Sequence, residues 1–281
     1  MNRCICSLLL ALAAGGGLLA DKLLFTDPAT GFSTSGSVWI RYGALAVISL
    51  AFLLLVRPKK SKAGARMARR SRPLAAVFGV QAAAFFGGCG MALVQIFGDI
   101  SAAGGFFDRY TGKMTVDPVR LLITVGWLAG GLWCSGIALG FGRGEAQPMG
   151  GLPLGIGTTA AFFLLCARRF VLSPTSIQRV TPTLDLMGAL AAMLLCCGLL
   201  RMLYLPAEQQ QLRRLCFFGL EAFLFDFCVI GAKQAANLSL GLPVFQEIGD
   251  LPLLVFGLLG AVVAADTIYH NPRPKAAHFA K

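Results

Sequence analysis

Charge is the first thing this sequence lacks. Only 14% of its 281 residues are Asp, Glu, Lys or Arg, while 56% are hydrophobic. Soluble domains carry about 25% charged residues, enough to cover a surface. With a mean hydropathy of +0.71, a chain of this length cannot hide its apolar residues in one water-solvated core. Histidine is nearly missing too: the two present, His270 and His278, both fall in the C-terminal tail. A His-ligated metal site or a Ser–His nucleophile has no candidate within the hydrophobic part of the chain. Neither a P-loop nor a strand–helix dinucleotide fingerprint is present. The expectation is therefore no enzyme activity, no cofactor and no resident metal.

Cysteine is not scarce, but its placement excludes a disulfide framework. Cys4 and Cys6 sit at an N-terminal hydrophobic edge. The other seven, from Cys89 to Cys228, lie in or beside apolar runs. These read as small packing residues.

What the sequence does have is apolar stretches of membrane-crossing length. A helix needs roughly 20 apolar residues to cross the hydrocarbon. Eight spans are predicted, at about 4–20, 38–56, 74–97, 119–141, 152–167, 184–204, 215–236 and 251–268. They form one all-α transmembrane domain over 1–270, followed by a short basic tail, 271–281. Pro73, Pro118, Pro153, Pro182 and Pro252 fall near span starts, where a missing N–H is tolerated. The first span follows Arg3 and resembles a signal peptide. Leu18 at the −3 position of the best cleavage site favours an uncleaved helix.

The net charge of +12 has no folded basic surface to sit on, so nucleic acid is not an expected partner. The densest cationic run is Arg57, Lys59, Lys60, Lys62, Arg66, Arg69, Arg70 and Arg72, with no acid among them. That pattern predicts a cytoplasmic loop that meets anionic lipid headgroups. With the chain in the cell membrane and both termini on its cytoplasmic side, most of the 25 Lys and Arg fall on the cytoplasmic side. Arg168, Arg169 and Arg179 run against that bias, which makes the fifth span the weakest point of the scheme.

Two outer loops share the pattern F-x-D-x-x-T-G, at residues 25–31 and 106–112, suggesting either a duplicated hairpin or two similar turns. Gly126, Gly130, Gly136 and Gly140 give small-xxx-small steps. These serve either packing within the chain or self-association. Gly98-Asp99 and Gly249-Asp250 echo part of the G-x-G-D signature of intramembrane aspartyl proteases. Glu247 stands where the first glycine would be, and no dyad context accompanies either aspartate.

Ionisable residues inside spans are costly and usually paired or functional. Arg201 and Glu221 are expected to pair near the inner ends of the sixth and seventh spans. Asp185 and Lys233 are expected to pair near the outer ends. Asp226 is left near mid-membrane, by its distance from Arg213 at about 1.5 Å per residue. Unpaired there, it is expected to be neutral, hydrogen-bonded to backbone, Gln81 or Gln95, or else part of a proton or cation site. Two functions stay open: a non-catalytic accessory, assembly or sensing component, or a small-solute or proton-coupled transporter using Asp226.

Overall fold

The computed structural model describes residues 2–26, 37–56, 71–103, 105, 114–144, 150–172, 180–205 and 209–270. The described residues are predominantly helical: α1 (Asn2–Leu24), α2 (Val38–Leu55), α3 (Arg72–Ala103), α4 (Pro118–Arg143), α5 (Leu152–Leu172) and α6 (Val180–Tyr204) come first. The seventh span is α7 (Gln209–Ala222), a π-helical segment (Phe223–Val229) and α8 (Ile230–Ser239). The last helix is α9 (Asp250–His270). Among the described residues, eight spans are long and apolar enough to cross a membrane. The protein is an all-α, multi-pass membrane-type bundle. Residues 27–31 and 106–112 of the two F-x-D-x-x-T-G loops, the basic run from Arg57 to Arg70 and the tail 271–281 lie outside the described residues.

Local chemistry sets the helix ends. Pro118 opens α4, where no intrahelical bond is lost, and the Asp117 side chain caps it by accepting from Val119 N (2.9 Å). Gly144, at φ 76°, closes the same helix with its N–H on the Gly140 carbonyl. Most spans run further than the apolar pattern predicts. α1 continues through Asp21 and Lys22, α3 continues to Ala103, and α5 takes in Arg168 and Arg169. At 32 residues, α3 is about 48 Å long. It must tilt or project from the hydrocarbon.

An aromatic cluster welds α3, α4, α5 and α9. Trp127 stacks on Phe85 (centroids 5.4 Å) and meets Phe162 edge-on (5.1 Å), while Phe162 lies 4.9 Å from Phe256. A second core joins α1, α2, α6, α9 and the seventh span through Ala11, Phe52, Leu220 and Leu224. Gly126 and Gly130 are used inside the chain: a side chain on Gly126 would collide with Ala161, and one on Gly130 would press on Phe85 and Thr158. Gly140 is buried as well, and Gly136 is half-buried. The eight cysteines with described side chains are free thiols.

Candidate functional site

Two polar features stand out inside this apolar bundle, and the seventh span contributes to both. The first is a charged cluster where α5, α6, α8 and α9 meet. Lys233 on α8 bonds Asp185 on α6 at 2.9 Å, as the sequence suggested. It also approaches Glu247 (3.2 Å) and Asp250 (3.4 Å). The sequence did not suggest Arg169, which is buried at 7% exposure. Its Nη2 lies 2.8 Å from Asp250 and 3.6 Å from Glu247, and its Nη1 donates to the Asp185 carbonyl (2.7 Å). Gln234 completes the set, donating to Asp250 (2.8 Å) and accepting from Phe245 N (2.9 Å). Asp250 opens α9, where the helix dipole favours a carboxylate.

Further pairs gather at the same end of the bundle. Arg41 meets Asp21 (2.8 Å), Arg120 meets Asp99 (2.6 Å) and Arg168 meets Asp117 (3.0 Å). Arg168 and Arg169, which ran against the charge bias, are each matched by an acid. The two Gly-Asp aspartates likewise have separate cationic partners, Asp99 with Arg120 and Asp250 with Arg169.

The second feature is Asp226, at the centre of the π-helical segment. It is 0% exposed, and neither carboxyl oxygen has a hydrogen-bond partner. Three helices approach this segment through glycine. A side-chain carbon on Gly15 of α1 would sit 2.9 Å from Cys228 Cβ. One on Gly188 of α6 would sit 2.7 Å from Asp226 Oδ1, and one on Gly257 of α9 would sit 2.5 Å from Phe227 N. Such contact explains why Asp226 is fully buried. Phe223 and Phe227 stack along the segment at 5.2 Å. Neither expected glutamine reaches it: Gln81 donates to the Pro252 carbonyl (3.2 Å), and Gln95 donates to the Gln246 carbonyl (3.3 Å) while accepting from Arg120.

The expected Arg201–Glu221 pair is not formed. Glu221 accepts from Ser49 of α2 (2.9 Å), and its other oxygen has no partner. Arg201 is exposed and, with the Gln211 amide oriented so that its carbonyl faces the guanidinium, bonds that oxygen through Nε and Nη2 (3.2 and 3.3 Å). The reason is depth: α7 begins at Gln209, so its residue level with Arg201 is Gln211. Glu221 lies about 15 Å further along the axis.

Arg169, Gln234, Glu247 and Asp250 are the cluster members that the sequence reading did not bring together with Asp185 and Lys233. The apolar run ends before Arg169, so hydropathy alone places it in a loop, and Glu247 is separated from its partners by helix boundaries that no spacing rule encodes. Comparison of the chain with protein-family models, with curated proteins and with solved structures finds no significant match. Its function has to be argued from this geometry.

Proposed function

We propose that this multi-pass membrane protein is a non-catalytic accessory, assembly or sensing component, and not a carrier. The observation behind this reading is the setting of Asp226. A transporter's charged site lies at a cavity or at broken helices that meet water from alternating sides. Asp226 instead lies in a fully buried, glycine-lined contact between helices, and the charges of the cluster beyond it are matched with one another. Such an interior holds charge in place and gives a solute no path. A second reading, proton-coupled transport through Asp226, is supported by one feature: π-helical turns recur at functional sites, and this one carries an unpartnered carboxyl.

The test is flux in vesicles loaded with a pH-sensitive dye. Vesicles with wild-type protein are expected to hold an imposed proton gradient as long as protein-free vesicles do. Asp226→Asn is expected to fold and to behave identically. Gradient decay with wild type that Asp226→Asn abolishes would overturn the accessory reading in favour of transport.

A further inference from the structure

The two ends of the bundle treat their cations differently. At the end where α5 closes and α6 and α9 begin, each cation of a printed pair meets an acid: Arg41 meets Asp21, Arg120 meets Asp99, Arg168 meets Asp117, Arg169 meets Asp250 and Lys233 meets Asp185. At the opposite end, where α6 closes and α7 begins, Arg201, Arg213 and Arg214 meet no carboxylate among the described residues. Arg201 and Arg213 bond neutral oxygens, those of the Gln211 amide and the Leu53 carbonyl. The acid of α7, Glu221, is held by Ser49, about 10 Å deeper than Arg214.

Helix electrostatics sharpen the contrast. Arg201 lies in the last turn of α6, where the helix dipole favours a cation. α7 has the opposite polarity at this end. It opens with no acid in its first turn, and Arg213 and Arg214 follow in the next. Free N–H groups and two guanidiniums therefore add positive charge in one place.

The two arginines of α7 serve different faces. Arg213 reaches back to the end of α2 (3.5 Å). Arg214 is exposed and lies on the side of α7 that meets α6, between Gln211 and Phe218 at helical spacing. Gln211 is buried and holds Arg201, while Leu215 and Phe218 lie against Gly198 of α6. Two exposed guanidiniums thus flank one groove between α6 and α7.

Beneath them the groove is apolar. Gly198 leaves its α6 wall low beside Phe218. Cys197, Leu190 and Met187 continue an exposed lane below Arg201. From Arg201 to Met187 that lane is about 21 Å long, more than the ~15 Å of one leaflet's hydrocarbon.

We propose that this groove is a binding site for an anionic phospholipid. Its phosphate lies between Arg201 and Arg214, and one acyl chain follows the lane of Cys197, Leu190 and Met187 past Phe218. A lipid fits where a soluble anion does not, because charge and apolar lane form one continuous surface. The inference goes beyond the accessory reading and does not depend on it.

The experiment uses the full chain in neutral detergent. The probe is dioleoyl phosphatidylglycerol. Phosphatidylcholine with the same chains is the net-neutral counterpart, and glycerol 3-phosphate is the headgroup without chains. Native mass spectrometry gives the lipid concentration at which half the protein retains one lipid. A basic residue near an anionic headgroup changes affinity about fivefold. Phosphatidylglycerol should therefore be retained at roughly tenfold lower concentration than phosphatidylcholine, or less. Arg201→Gln and Arg214→Gln should each weaken that retention about fivefold. Arg213→Gln removes the same charge from the neighbouring face and should leave it unchanged. Equal retention of the two lipids would overturn the proposal, as would equal weakening by Arg213→Gln and Arg214→Gln. Displacement of phosphatidylglycerol by a similar concentration of glycerol 3-phosphate would overturn it too, by showing a site for a free phosphate. Should Arg201→Gln fail to fold, the comparison of Arg213→Gln with Arg214→Gln decides alone.

Discussion

Replacing Lys233 with Met should be far more damaging than replacing its partner Asp185 with Asn, although both break the same 2.9 Å bond. The two side chains are 11% and 6% exposed, so water does little to compensate either. Losing the cation strips Asp185 Oδ2 of its donor, and Oδ1 has none to begin with. It also leaves Asp250 and Glu247 sharing Arg169. Removing one member of a buried pair costs about 3–5 kcal/mol, because the other charge is stranded. Losing the Asp185 charge leaves Lys233 still facing Glu247 and Asp250, so the cost should be nearer the ~1.5–3 kcal/mol of a single hydrogen bond to a charged group. The double variant removes the stranded charge and should be more stable than Lys233→Met alone. The assay is unfolding in mild detergent titrated with denaturing detergent, followed by helical circular dichroism. Effects that add to within about 0.5 kcal/mol would refute the reasoning, as would equal losses in the two single variants.

Two further predictions follow from packing and charge. Gly188→Val sets a carbon 2.7 Å from Asp226 Oδ1 and should cost about 1–3 kcal/mol by overpacking. Pairing it with Asp226→Ala should recover part of that loss in the same assay, and no recovery would mean the two do not share the contact. Reporter fusions at Lys62 and at Lys281 should both report the cytoplasmic side, since the densest basic run flanks the second span. An external signal at Lys62 would invert the topology.

The sequence by itself determined the architecture. Bilayer-length apolar runs can form only helices, because each must satisfy its backbone internally. The prolines at span starts located the entries of α3, α4, α5, α6 and α9 to within a few residues. Sequence also found the Asp185–Lys233 pair, where two charges lie at matching depths on neighbouring spans. Tertiary structure decided the rest. Hydropathy ends a helix at its first charge, so Arg169 looked like a loop residue, whereas a charge with a buried partner lets α5 continue through it. The Arg201–Glu221 expectation failed for a related reason: a start misplaced by six residues on α7 shifts every depth by about 9 Å. Nothing in the local sequence marks the π-helical segment around Asp226. It coincides with close contacts at Gly15, Gly188 and Gly257 on three separate helices, and only the assembled bundle brings those glycines to one place.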